Sequence, residues 1–338
     1  MKLFVQIPCL NEQLTLPRVI HEIPRRIDGV DETKVLIVDD GSTDNTAEIA
    51  TGAGADYVVR IPTRQGLARA FSIGLNRCLE LGADIIVNTD GDHQYDGRDI
   101  PKLIRPILEG KADIVVGDRQ PATLHHFSLI KRKLQALGSR TLSFLSRMEV
   151  PDATSGFRAY SREAALKLNV FSRFTYTLET LIQAGNNHLV VAHVPIRANG
   201  PTRASRLFPT LATYLKNSIV TLLRIYALYE PLRTFFYIGG VIFLAGILGL
   251  LRFLYFWFND EGGHVQSLVV SGVLLIIGFQ VWMLGLLADL ISVNRRLSEE
   301  ILYRMKKQDA LREHDSPPMS RKTSKSAVSP KDRVTRAW

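Results

Sequence analysis

The stretch that decides the fold is residues 84–94, DIIVNTDGDHQ, in which a short apolar run leads into a loop with two carboxylates. A run of Ile and Val of this length is typical of a strand buried on both faces, and the Asp-Gly-Asp after it is a turn signal. Two carboxylates one residue apart, with Gly91 permitting close approach, are suited to a hard divalent cation that also bridges a diphosphate. Acidic turns are common, so the meaning of this one depends on the residues at the ends of the other predicted strands.

Similar apolar runs recur from residue 2 to about residue 200: LFVQI, KVLIV, DYVVRI, DIIVN, DIVVG and VVAHVPI. Between them, apolar residues at helical spacing predict helices over 16–26, 46–52, 66–81 and 99–109. This alternation predicts an α/β fold, with a mostly parallel, Rossmann-like sheet covered by helices on both faces. Ligands of such sheets bind beyond the carboxyl ends of the strands.

Composition excludes several classes of protein. The chain has 338 residues, 46% of them hydrophobic, and a formal net charge of +9, which rules out a disordered acidic protein, a collagen and a small disulfide scaffold. Cys9 and Cys78 have no metal-ligand spacing, so we expect both to be reduced and buried. The first residues lack the pattern of a secretory signal, and we expect the N-terminal domain to lie in the cytosol.

Two uncharged runs lie near the C-terminus, residues 234–251, continued to 258, and residues 265–288. Each is long enough to cross about 30 Å of hydrocarbon as a helix. The loop between them, 259–264, has no Lys or Arg, whereas basic residues flank the pair: Lys216, Arg224, Arg233, Arg295, Arg296, Arg304, Lys306 and Lys307. The positive-inside rule therefore predicts a transmembrane hairpin with both termini in the cytoplasm.

These observations predict four parts of the chain. Residues 1–206 form a catalytic domain, residues 207–233 form interfacial amphipathic helices, and residues 234–291 form the two-helix transmembrane hairpin. Residues 292–338 form a cytosolic basic tail, disordered at its end and attracted to anionic lipid headgroups.

Two further loops carry polar residues at predicted strand ends, 7–12 (IPCLNE) and 38–44 (VDDGSTD). Carboxylates there could accept hydrogen bonds from the N–H groups of a base and from ribose hydroxyls. Residues 39–44 suit a turn that begins the next helix equally well. Both interpretations stay open at this point.

With DDGSTD and DGD about fifty residues apart at strand ends, the sequence resembles the inverting GT-A glycosyltransferases of family 2 from Leu3 to about Arg206. The segments VGDR at 116–119 and DATSGFR at 152–158 are similar to the polyprenyl-phosphate hexosyltransferase branch. That branch contains dolichol-phosphate mannose synthase-like and bactoprenol glucosyltransferase-like enzymes, and two C-terminal spans match the bactoprenol type.

The resemblance implies a GT-A fold and a set of site residues. Sugar-nucleotide contacts are expected at Pro8, Leu10, Asn11, Glu12, Val38, Asp39, Asp90 and Gly91. A divalent cation, Mg²⁺ or Mn²⁺, is expected at Asp90, Asp92 and Gln94, and the catalytic residues are expected to be Asp92, Arg119 and Arg132.

The acceptor phosphate is expected at Arg119, Arg132, Ser139, Arg203 and Arg206. The resemblance implies Arg119 and one basic residue within 131–133. Arg132 and Ser139 are seven residues apart in a segment of helical spacing and so share a face. The sequence Arg203-Ala-Ser-Arg206 departs from the Gly-x-Ser-Lys of the branch but supplies two cations.

The expected function is transfer of a hexose, with inversion, from a UDP- or GDP-sugar to a polyprenyl monophosphate of the undecaprenyl or dolichyl type, on the cytosolic leaflet. Either Arg64 or the loop from Arg203 to Arg206 would help the metal to neutralise the leaving diphosphate. Membrane lipids and a second copy of the chain are expected partners, and nucleic acid is not. Two alternatives stay open, a hydroxyl-acceptor glycolipid transferase with Asp152 as general base and a non-catalytic sugar-nucleotide-binding scaffold. A processive synthase is disfavoured because the sequence has no QxxRW.

Overall fold

The structure is a computed structural model that describes residues 1–119, 152, 154–170, 176–197, 199, 231–259, 265–315 and 334–336. The chain divides into two compact units, residues 1–204 with 302–338, and residues 205–301. The predicted interfacial helices lie outside the described residues, apart from 231–233, which begin a longer helix.

The first unit contains an eight-stranded sheet of order β7-β5-β6-β4-β1-β2-β3-β8. Its strands are β1 Lys2–Cys9, β2 Glu32–Asp39, β3 Tyr57–Arg60, β4 Ile85–Asn88, β5 Ile114–Asp118, β6 Arg158–Ser161, β7 Val191–Pro195 and β8 Val334–Arg336. Strand β6 runs antiparallel to β4 and β5, and every other pair is parallel. The predicted mostly parallel sheet is confirmed. Strand β6 escaped prediction because its four residues, RAYS, directly follow a loop-like motif.

Within the described part of the first 204 residues, six α-helices accompany the sheet: α1 Leu16–Glu22, α2 Thr46–Gly52, α3 Leu67–Glu80, α4 Ile100–Leu108, α5 Arg162–Lys167 and α6 Tyr176–Asn186. The central strands β1, β2 and β4 are almost fully buried, as in β1, where residues 3–9 are all buried. Helix α1 is shorter than predicted because Pro24 follows its last residue by two positions, and a residue before proline disfavours helical geometry. Cys9 and Cys78 are free thiols buried in β1 and α3, as expected.

The second unit contains helix α7, Pro231–Phe258, and most of helix α8, Val265–Asp315. Both are long and apolar enough to cross a membrane, which agrees with the two predicted spans. They pack closely through glycines, since a Cβ on Gly246 would lie 3.0 Å from the backbone nitrogen of Leu275. Trp282 stacks on Phe236 and donates from Nε1 to its carbonyl oxygen at 3.1 Å. Trp282 therefore contributes to the packing of the two helices.

The C-terminal part of the chain differs from the expected tail. Helix α8 continues to Asp315, and from Leu302 it belongs to the first unit. There Tyr303 donates to Glu163 Oε1 at 2.7 Å, and Lys306 donates to Asn169 Oδ1 at 2.9 Å. Residues 334–336 extend the open edge of the sheet beside β3, which Val and Thr favour and which satisfies main-chain groups of that edge.

Candidate active site

The loops that follow β1 and β2 lie side by side at the carboxyl ends of these two neighbouring strands. Pro8 and Cys9 pair in register with Val38 and Asp39. Asn11 has a positive φ of 54°, a conformation that Asn tolerates better than most residues. Its backbone N–H donates to Ser42 Oγ at 2.9 Å, and its side-chain oxygen accepts from the N–H of Thr43 at 2.8 Å.

The neighbouring residues complete this edge. Glu12 is buried, and its backbone N–H donates to Thr46 Oγ1 at 2.9 Å. Leu10 is partly buried beside it, whereas Pro8 and Val38 are buried in their strands. The loops that follow β1 and β2 are therefore joined by hydrogen bonds, and Pro8 and Val38 lie in the strands that lead into them.

The two carboxylate oxygens of Asp39 bear separately on the two interpretations that the sequence left open, a turn and a nucleotide contact. Its Oδ1 accepts from the N–H of Ser42 at 2.9 Å and so stabilises the turn. Its Oδ2 is buried and, within the part of the chain that the structure describes, accepts no hydrogen bond, while Arg60 Nε lies 3.5 Å away in a long ion pair. A buried acceptor without a donor is costly, and the N–H of a base or a ribose hydroxyl would satisfy it.

Asp40 positions Arg64, a role that the sequence did not reveal. Its two carboxylate oxygens accept from the N–H groups of Gln65 and Gly66 at 2.7 and 2.8 Å. Gly41 has φ +72°, and a Cβ there would lie 2.8 Å from the Arg64 nitrogen. The exposed Arg64 is therefore carried by a loop fixed to the end of β2.

The loop expected to hold the metal, residues 90–94 and called the metal loop below, follows β4 after one intervening residue, Thr89. Asp92 Oδ1 accepts from the N–H of Gln94 at 3.1 Å. Burial and the nearby Asp92 carboxylate raise the pKa of Asp90 above its usual range, although Arg119 opposes the shift. Two carboxylates that disfavour each other's charge would be stabilised by a cation between them.

The donor set fits Mg²⁺ or Mn²⁺ shared with a diphosphate. Among the described residues, no group of three or more His, Cys, Asp and Glu side chains could hold a metal ion. Mg²⁺ in nucleotide sites usually takes one or two carboxylates and completes its shell with phosphate oxygens and water. Two aspartates and an amide oxygen are consistent with that arrangement.

A buried polar network lies beneath the metal loop. Asn88 Nδ2 donates to the Tyr176 hydroxyl at 2.8 Å and to the Gly156 carbonyl at 2.9 Å. The N–H of Gly156 donates to the Tyr95 hydroxyl at 2.9 Å. The motif at 152–158 thus contacts the loop through Gly156, where a Cβ would lie 2.9 Å from Asp90 Oδ2.

We expect Gly156→Ala to lower kcat/KM by about 100-fold, because the added methyl displaces the Asp90 carboxylate and misplacement by about 1 Å costs that much. Overpacking should also cost about 1–3 kcal/mol of stability. Steady-state kinetics and thermal unfolding measure the two effects. Gly52→Ala is the matched control, since a Cβ there meets nothing within 4 Å; equal losses in both variants would contradict the assigned contact.

Arg119, at the end of β5, is held by Asp152 in a bidentate ion pair. Its Nε lies 2.7 Å from Oδ2 and its Nη2 lies 2.9 Å from Oδ1, while Nη2 also donates to Thr154 Oγ1 at 2.7 Å. Although burial opposes the charge, Tyr95, Asp152 and Asp90 raise the pKa of Arg119 above its usual value. The guanidinium is therefore a permanent cation near Asp90.

Asp152 is poorly suited to act as a general base. It is fully buried, and the hydrogen bonds from Arg119 lower the pKa of its carboxyl despite the cost of burial. Arg158, an arginine close to Asp152 in the sequence, has other partners. Arg158 is buried and donates instead to the Ser155 and Thr177 carbonyls and to Thr180 Oγ1.

Four expected acceptor residues, Arg132, Ser139, Arg203 and Arg206, lie outside the described residues. The structure does bring together the two loops expected at the nucleotide, at the ends of β1 and β2. It also places Arg119 beside the metal loop. Fold and site together define a glycosyltransferase of the GT-A type.

Comparison with known proteins gives the family. Residues 4–168 match the model described as Glycosyl transferase family 2, and residues 230–293 match the model described as GtrB C-terminal hairpin. The chain belongs to glycosyl transferase family 2 and is related to the polyprenyl-phosphate sugar transferases, which confirms the resemblance.

Two relatives and one solved structure illustrate the relationship. The glycosyltransferase AglJ of Haloferax volcanii is 28% identical over 307 residues, covering 87% of this chain and 95% of the relative. The UDP-N-acetylglucosamine--dolichyl-phosphate N-acetylglucosaminyltransferase of Methanococcus voltae is 32% identical over 217 residues, covering 58% and 84%. The solved structure is glucosyl-3-phosphoglycerate synthase of Mycobacterium tuberculosis in complex with Mn²⁺, UDP-glucose and phosphoglyceric acid. It superposes on this chain with a TM-score of 0.52 at 26% sequence identity, and the superposition covers 66% of this chain and 79% of the synthase chain.

Proposed function

We propose that this protein transfers a hexose, with inversion, from a UDP- or GDP-sugar to a polyprenyl monophosphate at the membrane surface. The observation that carries the proposal is the ion pair between Arg119 and Asp152. It holds the Arg119 cation near Asp90, and it engages the Asp152 carboxylate, which a hydroxyl acceptor would need as its general base. The M. voltae relative, whose name specifies a dolichyl phosphate acceptor, supports the same acceptor class.

A phosphate acceptor removes the need for proton transfer. Its ionised oxygen would attack the anomeric carbon, the new carbon–oxygen bond would form, and the bond to the nucleoside diphosphate would break with inversion. The protein must then hold the acceptor anion beside the diphosphate, which requires fixed cations. Nη1 of Arg119 has no partner among the described residues, so its two N–H groups could donate to the acceptor phosphate.

The donor would lie along the edge already described. Asp39 Oδ2 would accept from the base or ribose, and Arg64 would approach the diphosphate. Asp90, Asp92 and Gln94 would hold Mg²⁺ or Mn²⁺, which neutralises charge on the leaving diphosphate when bound.

The test is a screen of radiolabelled UDP- and GDP-sugars with the full-length protein and undecaprenyl phosphate in detergent, with chloroform-extractable label as the readout. We expect one nucleotide sugar to label the lipid phosphate, and unphosphorylated undecaprenol to remain unlabelled. Label on undecaprenol or diacylglycerol would instead support the hydroxyl-acceptor transferase. Sugar-nucleotide binding without label on any acceptor would support the scaffold.

We further propose that the protein is integral to the cytoplasmic membrane, with the catalytic domain and both termini in the cytosol. The match to the hairpin model and the two apolar helices support membrane association. The orientation rests on the absence of Lys and Arg from residues 259–264 and on the basic residues that flank the hairpin.

A cysteine introduced as Gly262→Cys should react with a membrane-impermeant maleimide in intact cells, because the loop is expected outside the cytoplasm. Ser298→Cys, on the cytosolic side of the proposed hairpin, should react only after lysis. Background labelling should be low because Cys9 and Cys78 are buried. The opposite pattern of labelling would contradict the proposed orientation and place the 259–264 loop in the cytoplasm.

A further inference from the structure

The side chain of His93 is buried, although the residues on either side of it, Asp92 and Gln94, are proposed metal ligands. His93 is 5% exposed and has a left-handed φ of 62°, a conformation that costs a non-glycine residue about 1–3 kcal/mol unless its surroundings enforce it. The proposed function assigns no role to His93. Its partners lie far away in the sequence.

Glu22, the last residue of α1, is the first partner. Its Oε2 lies 2.8 Å from His93 Nε2. Close packing reinforces this contact, since a Cβ on Gly97 would lie 3.1 Å from the Glu22 carbonyl. On the other side of the loop, Thr15 donates from Oγ1 to the Gly91 carbonyl at 2.7 Å. Helix α1 and the residue before it therefore hold the metal loop at two points, His93 and Gly91.

Asn199, shortly after β7, is the second partner. Its Nδ2 donates to the His93 carbonyl at 3.1 Å and lies 3.3 Å from His93 Nδ1. Its backbone N–H donates to the Gln94 carbonyl at 2.9 Å. If Nδ1 accepts from Asn199, the ring carries its proton on Nε2 and donates it to Glu22.

We infer that Glu22, His93 and Asn199 form a positioning cluster that holds Asp92 and Gln94 in the geometry a divalent cation requires. The inference rests on the proposed function, because it takes the loop at 90–94 as the metal loop. Partners that orient metal ligands from behind are typically worth about 10- to 100-fold in metal affinity. His93 is in this view a positioning residue and does not bind the metal itself.

Glu22 allows the cleanest test because it lies outside the metal loop. We expect Glu22→Ala to weaken Mn²⁺ binding to the full-length protein about 10-fold, measured by electron paramagnetic resonance of free Mn²⁺ in the presence of UDP or GDP. Glu22→Gln keeps an oxygen that can accept from Nε2, so it should restore the affinity to within about 3-fold. His93→Asn tolerates the left-handed backbone but is too short to reach Glu22, and should resemble Glu22→Ala.

Arg18→Ala is the matched control. Arg18 lies on the same helix and pairs with Glu22 Oε1 at 3.2 Å on the exposed side, so its removal should leave Mn²⁺ affinity unchanged. At saturating Mn²⁺, kcat of Glu22→Ala should return to within about 3-fold of wild type, because the defect is one of metal affinity.

A Glu22→Ala protein that binds Mn²⁺ like the wild type would overturn the inference, and a lowered melting temperature alone would then show a purely structural contact. Wild-type protein that binds Mn²⁺ with nucleotide but labels no lipid phosphate would refute the proposed function and leave the positioning cluster standing. Wild-type protein that binds no Mn²⁺ with either nucleotide would overturn the positioning cluster together with metal dependence.

Discussion

Asp92→Asn lowers the turnover of sugar transfer by about 10³-fold or more, with the fold intact, if the loop at 90–94 holds the metal. The reason is electrostatic, because the substitution removes one of two ionised ligands from a cation that neutralises the leaving group. The side-chain oxygen of Asn can still accept from the N–H of Gln94, as Asp92 does at 3.1 Å, so stability should change little. Single-turnover kinetics, thermal unfolding and Mn²⁺ binding measure the three effects.

Asp96→Asn is the matched control for this prediction, since it makes the same chemical change four residues further along. Asp96 accepts from the N–H and guanidinium of Arg98 and begins a short 3₁₀ turn. Its loss should cost no more than about 1 kcal/mol of stability and should leave turnover within about 3-fold of wild type. Full turnover of the wild-type protein in excess EDTA would refute the metal-dependent mechanism.

The order of the strands illustrates what a single sequence reveals about this fold. Six apolar runs rich in Val and Ile predicted six of the parallel strands, because continuous apolar segments need cover on both faces. The antiparallel strand β6 is short and carries Arg158, whose burial depends on carbonyls of α6 residues distant in the chain. No local pattern reports such a partner. The strand at residues 334–336 was missed for the same reason, since it exists through pairing with β3.

The sequence predicts a candidate site where the chemistry follows from residue type and place. Paired carboxylates at a strand end favour a cation site when other strand ends also carry polar residues, whereas the lone His93 that follows them does not reveal which way its side chain points. Glu22 carried no signal, because an acidic residue at the end of a short amphipathic helix is ordinary surface chemistry. The partner of Asp152 was also undetermined, since Arg119 and Arg158 lie in equally suggestive motifs. Only the folded chain shows that Asp152 holds Arg119.

This pairing makes the acceptor mechanism testable with two residues. If Asp152 acts only through Arg119, Arg119→Ala should raise KM for polyprenyl phosphate about 10- to 100-fold, because one charge-assisted contact to the phosphate is lost. KM for the sugar nucleotide should change far less. Asp152→Asn keeps an acceptor for the guanidinium, so KM for the lipid should rise about 3- to 10-fold, with kcat within about 3-fold of wild type.

The double variant decides between a positioning carboxylate and a base. In the Arg119→Ala background, Asp152→Asn should have no further effect on either kinetic constant, since the residue it orients is gone. A general base would behave differently, because its removal would lower kcat by about 10²- to 10⁴-fold in both backgrounds. Arg119→Ala alone leaves the buried Asp152 carboxylate unpaired, at a cost of about 3–5 kcal/mol, so Arg119→Lys provides a folded comparison that keeps the charge and loses the bidentate geometry. Two results together would contradict the phosphate-acceptor mechanism and support a hydroxyl acceptor. Asp152→Asn would lower kcat by the same large factor with and without Arg119, and Arg119→Lys would leave KM for the lipid unchanged.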